Sequence, residues 1–470
     1  MDKYKRLVSN TLLTAVNQFS SRLLTLLMTM YYTRMMLPEL YGTIIAVQTL
    51  GQFFIPLVLL GMRDALVRFG LEDGSNKTKV YTNGLVAFAI GYAALLALWP
   101  LLYQIPFVKG TVEQYSVLMM VFLFASCLNT VNCQFTRARG LLRLYAVDGI
   151  LNSALTLGFT VLFISGLGLA PEGILLAVVC GDAASALFLF FIQRLWRFID
   201  LRRMDWRLFK TMLRFALPLI SASIFWSITN TSDVLFVKNM VGDEANGIMS
   251  ACYKIPTLLT IVATLFTEAW QISAYTDGTK RGREHFFSRV YSIYQSVIFM
   301  SAAGIVWLCR GLMSIFVAKE YYIGWMFIPM FTFATVFSSL GNFVNSIYMV
   351  EKKSGLSLLT MSVGALLNLA LNALFIPQFG VQGAAAATAI SYLAVFLVRA
   401  LNTRRLLAMD LAWGKMALNC VILSAQTIIQ VLSLPYYNLW TTGLTALMLA
   451  VNFRSLWATA LQLLKRGKRT

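Results

Sequence analysis

About fourteen apolar stretches, separated by short polar loops, occupy almost the whole of this chain. A run of about twenty apolar residues crosses a bilayer as a helix, because only a helix satisfies its own backbone groups there. No loop has room for a soluble catalytic or nucleotide-binding domain. The sequence therefore predicts an all-α polytopic membrane protein with about 14 transmembrane helices. The predicted spans are residues 8–33, 41–65, 78–103, 114–136, 144–168, 171–194, 208–238, 245–275, 286–309, 322–349, 355–377, 381–403, 413–433 and 436–460.

The loops alternate between basic and nearly uncharged, which predicts the orientation. With the N-terminus inside, thirty Lys and Arg residues fall in cytoplasmic loops and five in outer loops: Arg34, Lys109, Lys238, Arg310 and Lys319. Since cytoplasmic loops retain Lys and Arg, both termini are predicted to be cytoplasmic. The net charge of +19 is spread over these loops as topology requires. We therefore expect the lipid bilayer, and no nucleic acid, as the partner of these cations.

Two pairs of similar segments indicate an internal repeat. The segment Leu37–Gly42 resembles Val241–Gly247, and the pair Glu172-Gly173 resembles Gln382-Gly383. Spans one to six would then match spans seven to twelve in the same orientation, as in transporters built from parallel repeats. The predicted division is a six-helix lobe over 1–203, a second six-helix lobe over 204–405, and two additional helices with a basic tail over 406–470. Chance similarity between glycine-containing loops is the alternative.

Polar residues recur at helical spacing on several predicted spans. In the first span they share one helical face, and the eighth span carries a second such face. The seventh and second spans contribute shorter sets. Such faces must contact protein or water, because lipid does not satisfy them. Either they only hydrogen-bond to neighbouring helices, or they line a hydrated cavity, which the full-depth stripes favour. The stripes are Thr11, Thr14, Gln18, Arg22, Thr25, Thr29 and Thr33; Ser250, Lys254, Thr257, Thr264, Glu268, Gln271 and Tyr275; Ser223, Ser227, Asn230 and Asp233; and Gln48 and Gln52.

Two cations lie inside these stripes, where an uncompensated charge is costly. In one interpretation, Asp233 neutralises Lys254 as a structural ion pair. In the other, Arg22 and Lys254 leave the cavity positive and suited to an anion such as a diphosphate, which arginine binds through its planar fork. Asp182, like Asp148 in the span before it, is either structural or ion-coupling.

The sequence gives no sign of catalytic, metal or cofactor chemistry. The six cysteines form no C-x-x-C pair and lie mostly within spans, which is typical of small core residues. The motif G-x-x-x-x-G-K-[ST] is absent from the sequence, so no ATPase is expected in this chain. We predict no catalytic residues, metal site or cofactor, and a chain that is not an enzyme.

Three segments resemble one membrane-protein family. They are Thr33–Gly42 (TRMMLPELYG), Asp233 followed by Gly247–Ile255 (GIMSACYKI), and Ile376–Thr388 (IPQFGVQGAAAAT). With the topology, they resemble the Wzx-like polysaccharide or oligosaccharide flippases of the multidrug/oligosaccharidyl-lipid/polysaccharide exporter (MOP) superfamily. The resemblance implies two six-helix lobes, a central cavity, and export of an undecaprenyl-diphosphate-linked glycan across the bacterial inner membrane. Peptidoglycan-precursor flippases carry more cavity arginines, which argues against that precursor as the substrate.

The expected function is therefore a secondary flippase that moves a lipid-linked oligosaccharide from the cytoplasmic to the outer leaflet by alternating access. Glycosyltransferases and a polymerase of the same pathway are candidate partners. The alternatives are a cation-coupled multidrug exporter of the same superfamily, which would need an acidic cavity, and a membrane glycosyltransferase or polymerase, which would need a large outer loop. The candidate substrate-binding residues are Arg22, Lys254, Gln18, Asn230, Asp233, Thr25, Gln48, Gln52 and Thr257, and the candidate ion-coupling residues are Asp233, Glu268 and Asp182.

Overall fold

A computed structural model describes residues 24–72, 74–274, 280–351 and 353–467, apart from the side chains at some positions within helices. The described chain is all-α, which confirms the predicted fold class. It divides into two compact units, Met1–Gly247 and Ile248–Thr470. The predicted lobe boundaries at 203 and 405 stay predictions.

The described part of the first unit contains nine α-helices and the start of a tenth. Two helices begin at polar residues whose side chains accept backbone N–H groups, Asn76 from Lys79 and Asp205 from Arg207 and Leu208. Helix α2 instead begins at Pro38, whose fixed φ favours the first helical turn. The helices are α1 (24–35), α2 (Pro38–Val58), α3 (Met62–Leu71), α4 (Lys77–Leu102), α5 (Pro106–Val112), α6 (Ser116–Ala138), α7 (Leu142–Val161, with a π-helical end Leu162–Gly166), α8 (Glu172–Ile192), α9 (Trp206–Met240) and the start of α10 (Asp243–Cys252).

The second unit holds the remaining helices around an aromatic core. The rings of Tyr294 and Phe343 stack at 5.1 Å, and Tyr291 packs against the same Phe343. The predicted loop after residue 377 is a kink at Gly380, whose φ of 56° separates two helices that together span Ser354–Thr403 and are called α14 here. The helices are α11 (Leu258–Ala274), α12 (Lys280–Phe316), α13 (Ile328–Val350), α14 (Ser354–Thr403), α15 (Trp413–Val431) and α16 (Tyr437–Gly467), with a 3₁₀ segment at Lys319–Met326.

Most predicted spans coincide with a helix. Within the described residues, 8 helices are long and apolar enough to cross a membrane, and the bent pair Lys319–Met326 and Ile328–Tyr348 makes up to 9. The count of about 14 stays a prediction. The protein is a multi-span membrane protein.

Two of the cations counted with the cytoplasmic loops, Arg63 and Arg399, lie within helices. The second span, predicted over 41–65, ends at Val58, and the turn that follows places Leu60 and Gly61 at positive φ before α3 begins. Arg63 therefore lies in a separate helix, α3, that follows the second span directly. Arg399 lies inside α14, only 3% exposed, and donates hydrogen bonds to Thr360 Oγ1 and the Gly341 carbonyl at 3.0 and 3.1 Å.

The two glycines that the repeat aligns, Gly42 and Gly247, lie against each other. A Cβ on Gly42 would overlap the carbonyl oxygen of Asp243, and a Cβ on Gly247 would overlap that of Pro38. Each glycine thus meets the residue four positions before the other. Asn246 also donates its Nδ2 to the Gly42 carbonyl at 2.7 Å. This reciprocal crossing of α2 with the first turn of α10 has the symmetry that a repeat requires, and it supports the alignment.

Candidate substrate-binding site

Some of the predicted site residues lie outside the residues that the structure describes. Gln18 and Arg22 lie in the segment 1–23, outside the described residues. Asn230 and Glu268 lie within α9 and α11, but their side chains are outside the description. The candidates whose side chains the structure describes are Thr25, Gln48, Gln52, Asp182, Asp233, Lys254 and Thr257.

Lys254 lies where the eighth predicted span is broken. That span was expected to be continuous over 245–275, but α10 ends at Cys252 and α11 begins at Leu258. Residues 253–257 form a turn, because Pro256 has no N–H to continue the helix. The polar stripe of this span therefore does not follow a single helix. Discontinuous membrane helices are a frequent setting for transporter binding sites. In this turn the backbone N–H groups of Tyr253, Lys254 and Ile255 stay hydrogen-bonded to preceding carbonyls.

Thr257 holds this turn in place. Its hydroxyl donates to the Lys254 carbonyl at 2.6 Å, so its proton stabilises the break. The Lys254 side chain is half-buried and takes part in a polar interaction. Among the predicted binding residues that are described, Lys254 is thus the cation at an irregular point of a membrane helix.

The first unit contains a cavity of about 450 Å³ whose lining is partly apolar, with Ile55, Leu59 and Leu219 among its residues. It is lined from α2 by Gln52, from α9 by Ser223 and Ser227, and from α3 by Arg63 and Asp64. Gln52 comes from the second predicted span and the two serines from the seventh; the predicted cavity between four spans stays a prediction. Gln48 and Thr25 are not among its lining residues.

Arg63 was missed as a site residue in the sequence analysis. It also lines a neighbouring cavity of about 320 Å³ with Asn129, Asp148 and Asn152, and Thr130 is the second residue that both cavities share. Arg63 is exposed. The signal that could have found it is Pro56 followed by Gly61, a pair that predicts a helix break before Arg63.

Asp182 and Asp148 occupy a polar cluster between α6, α7 and α8. Asp182 accepts hydrogen bonds from Asn129 and Asn152 at 3.1 and 2.8 Å, and from the Ser126 hydroxyl. Asp148 is buried and accepts from the Ser185 hydroxyl at 2.6 Å and the Cys133 thiol at 3.0 Å. Both carboxylates are thus held by neutral donors. In the second unit, Asn368 in the first half of α14 donates a hydrogen bond to Thr388 in the second half. Neither of these two side chains is a carboxylate.

The remaining candidates differ in accessibility. Asp233 is buried on α9 and takes part in a polar interaction. Gln48 is half-buried and Thr25 is exposed. The hydrated-face interpretation of the first span does not extend to Thr29 and Thr33, which are buried and donate to carbonyls of their own helix.

One carboxylate outside the spans has a shifted pKa. Asp205, at the start of α9, accepts the backbone N–H of Leu208 and pairs with Lys79 at 3.0 Å. The backbone hydrogen bond and then the ammonium lower the pKa of this carboxyl below its usual range.

The fold is shared with solved membrane transporters. "Lipid II flippase MurJ, inward closed conformation" is 14% identical, with a TM-score of 0.70 over 96% of this chain and 100% of that chain. An inward-facing multidrug resistance MATE family transporter of the MOP superfamily is 16% identical, with a TM-score of 0.69 over 83% of this chain and 97% of that chain. A MOP superfamily transporter from Pyrococcus furiosus, whose binding pocket is described as having reverse polarity, is 16% identical, with a TM-score of 0.59 over 84% and 95%.

The chain therefore has the fold of the MOP superfamily. The family described as polysaccharide biosynthesis protein matches residues 7–270, more than half of the chain. No curated protein sequence matches it. The chain belongs to the polysaccharide biosynthesis protein family, and the predicted resemblance to the Wzx-like flippases of the MOP superfamily is confirmed.

Proposed function

We propose that this protein is a secondary flippase for an undecaprenyl-diphosphate-linked oligosaccharide, which it moves from the cytoplasmic to the outer leaflet by alternating access. Membership of the polysaccharide biosynthesis family supports the glycan as cargo. The observation that carries the proposal is Lys254 at the break between α10 and α11, a cation at the kind of site where transporters bind anionic ligands.

In this proposal Arg22 and Lys254 contact the diphosphate. The guanidinium of Arg22 supplies forked hydrogen bonds, and the ammonium of Lys254 acts as a point charge. The amide of Gln52 and the hydroxyls of Ser223 and Ser227 offer hydrogen bonds of the kind that sugars accept and donate. Gln18, Thr25, Gln48, Asn230, Asp233 and Thr257 stay candidate contacts of the same headgroup.

The driving force would be a proton gradient, a Na⁺ gradient or the membrane potential, because the sequence carries no nucleotide-binding motif. Each elementary charge moved across 100 mV supplies about 2.3 kcal/mol. Asp182 is our candidate coupling group in the first unit: its amide and hydroxyl donors favour a bound carboxylate, and a cation or proton would compete with them. Asp233 and Glu268 stay candidates for the same role.

The test compares leaflet transfer by purified variants at equal abundance in vesicles. We expect Arg22→Ala and Lys254→Ala each to slow transfer of the lipid-linked oligosaccharide at least tenfold. Lys319→Ala is the matched control, because Lys319 is an exposed cation of a predicted outer loop. Transfer at the parental rate in both cavity variants would remove the diphosphate contacts from the proposal.

A cation-coupled drug exporter remains the second candidate, but it is not favoured, because Lys254 and Arg22 bring positive charge where a cationic drug needs negative charge. Extrusion of a cationic dye by the same vesicles distinguishes the two. No observation favours a membrane glycosyltransferase or polymerase.

A further inference from the structure

Arg63 borders two cavities in the first unit at once. The cavity of about 450 Å³ meets it from the side of α2 and α9, and the cavity of about 320 Å³ from the side of α6 and α7. The larger volume lies within the range of small-molecule sites, about 300–1,000 Å³. It is large enough for a phosphate group with an adjoining sugar ring, but not for a whole oligosaccharide.

The guanidinium of Arg63 has no acceptor among the residues that the structure describes. Arginines nearby in the chain are engaged. Arg68 stacks on the Phe215 ring at 4.4 Å, Arg137 donates to Gln134 Oε1 at 3.1 Å, and Arg139 contacts Gln193. Of these four, Arg63 alone has neither a hydrogen-bond acceptor nor an aromatic ring contact within the described residues.

Neither nearby carboxylate forms an ion pair with Arg63 within the described residues. Asp64 lines the larger cavity, but it lies in the first turn of α3, where the helix dipole already stabilises its charge. Asp148 lines the smaller cavity, but both of its oxygens accept hydrogen bonds from Ser185 and Cys133. Arg63 lies in the first turn of helix α3, and this helix begins without a side-chain cap. The N–H groups of the first turn therefore lie at the same end of the helix as Arg63.

We propose that Arg63 binds an anionic group of the transported headgroup, a phosphate or a glycan carboxylate, in the larger cavity of the first unit. This inference rests on the proposed function and on the predicted orientation, in which Arg63 follows the second span on the cytoplasmic side. In that orientation it is a capture site for a substrate that enters from the cytoplasmic side. Planar, forked recognition of phosphate or carboxylate is the chemistry that arginine supplies and lysine does not.

The experiment measures binding of two probes to the full-length protein in detergent: undecaprenyl diphosphate, and sodium glucuronate. The variants are Arg63→Gln and Arg63→Lys, and the control is Arg68→Gln on the same helix. We expect Arg63→Gln to weaken binding of one probe or both by about tenfold to a hundredfold. Arg63→Lys should recover part of the loss, and Arg68→Gln should bind like the parental protein.

The identity of the affected probe distinguishes the sources of the anion. Loss confined to undecaprenyl diphosphate assigns the phosphate, and loss confined to glucuronate assigns a glycan carboxylate. Parental affinity of Arg63→Gln for both probes would overturn the inference, as would a parental protein that binds neither. If Arg63→Gln does not fold, parental affinity of Arg63→Lys for both probes would overturn the inference instead.

Leaflet transfer separates this inference from the proposed function. If the parental protein transfers lipid-linked oligosaccharide while Arg63→Gln binds both probes normally, only the Arg63 site fails. If binding depends on Arg63 but no lipid-linked oligosaccharide is transferred, the flippase proposal fails and the anion site stands.

Discussion

Replacing Gly42 or Gly247 by alanine should destabilise the protein by nearly the same amount. In either variant the new Cβ overlaps a carbonyl oxygen of the opposing helix, where real Cβ atoms essentially never come closer than 3.0 Å. Helix α2 and the first turn of α10 would have to separate by about 1 Å, and overpacking of this kind costs about 1–3 kcal/mol. Separation also weakens the bond from Asn246 to the Gly42 carbonyl, worth about 1 kcal/mol.

The expected loss is therefore about 2–4 kcal/mol per variant, large for a protein of marginal stability. Thermal unfolding in detergent micelles measures it. The matched control is Gly158→Ala, because Gly158 lies in helix α7 with no atom within 4 Å of the added Cβ. Alanine there should be neutral or stabilising by about 0.5–1 kcal/mol. The double variant should lose less than the sum, since one separation relieves both overlaps.

Melting of Gly42→Ala and Gly247→Ala at the parental temperature would refute the close crossing. A large loss in one variant and none in the other would refute its reciprocity, and with it the support for the repeat.

Three further changes test other contacts by thermal unfolding. Arg310→Ala should cost about 2–3 kcal/mol, because the guanidinium lies 3.8 Å from the ring centres of both Trp325 and Tyr437; equal melting of the variant would contradict this packing. Arg399→Ala should cost about 2–4 kcal/mol through lost hydrogen bonds and a cavity, and a gain in stability would contradict it. Asp205→Asn keeps a helix cap but removes the charge, so it should melt below the parental protein at neutral pH. Because the folded pKa of Asp205 is lowered, its stabilisation is present above the unfolded pKa of about 3.9 and is lost as pH falls through the folded value; a difference that does not shrink in acid would refute this.

The helical character of the chain was predictable from hydropathy, because a bilayer leaves the backbone few alternatives. The contact of Gly42 with Gly247 was not predicted, because the alignment of two repeats does not by itself bring the aligned residues together. What hydropathy did not predict is where helices break. The second span continues as apolar sequence past Val58, and the eighth past Cys252, so the apolar pattern alone placed both breaks inside continuous spans.

The breaks explain the misplaced site residues. Pro56 and Gly61 turn the chain before α3 and bring Arg63 to two cavities, although a topology count assigns it to a loop. Pro256 similarly places Lys254 in a turn and not on a helical face. Arg399 was counted as a loop cation because charge bias does not distinguish a loop arginine from one buried near the end of a helix. Helical periodicity describes one helix at a time, whereas these positions depend on several.

Transfer of two cargoes by one preparation tests the proposed function most directly. Purified protein in vesicles would be given a fluorescent undecaprenyl-diphosphate oligosaccharide and, separately, a cationic dye, with an imposed proton or Na⁺ gradient. We predict transfer of the lipid-linked glycan, slowed at least tenfold by Lys254→Ala, and no gradient-driven movement of the dye. Extrusion of the dye with no transfer of the glycan would contradict the flippase.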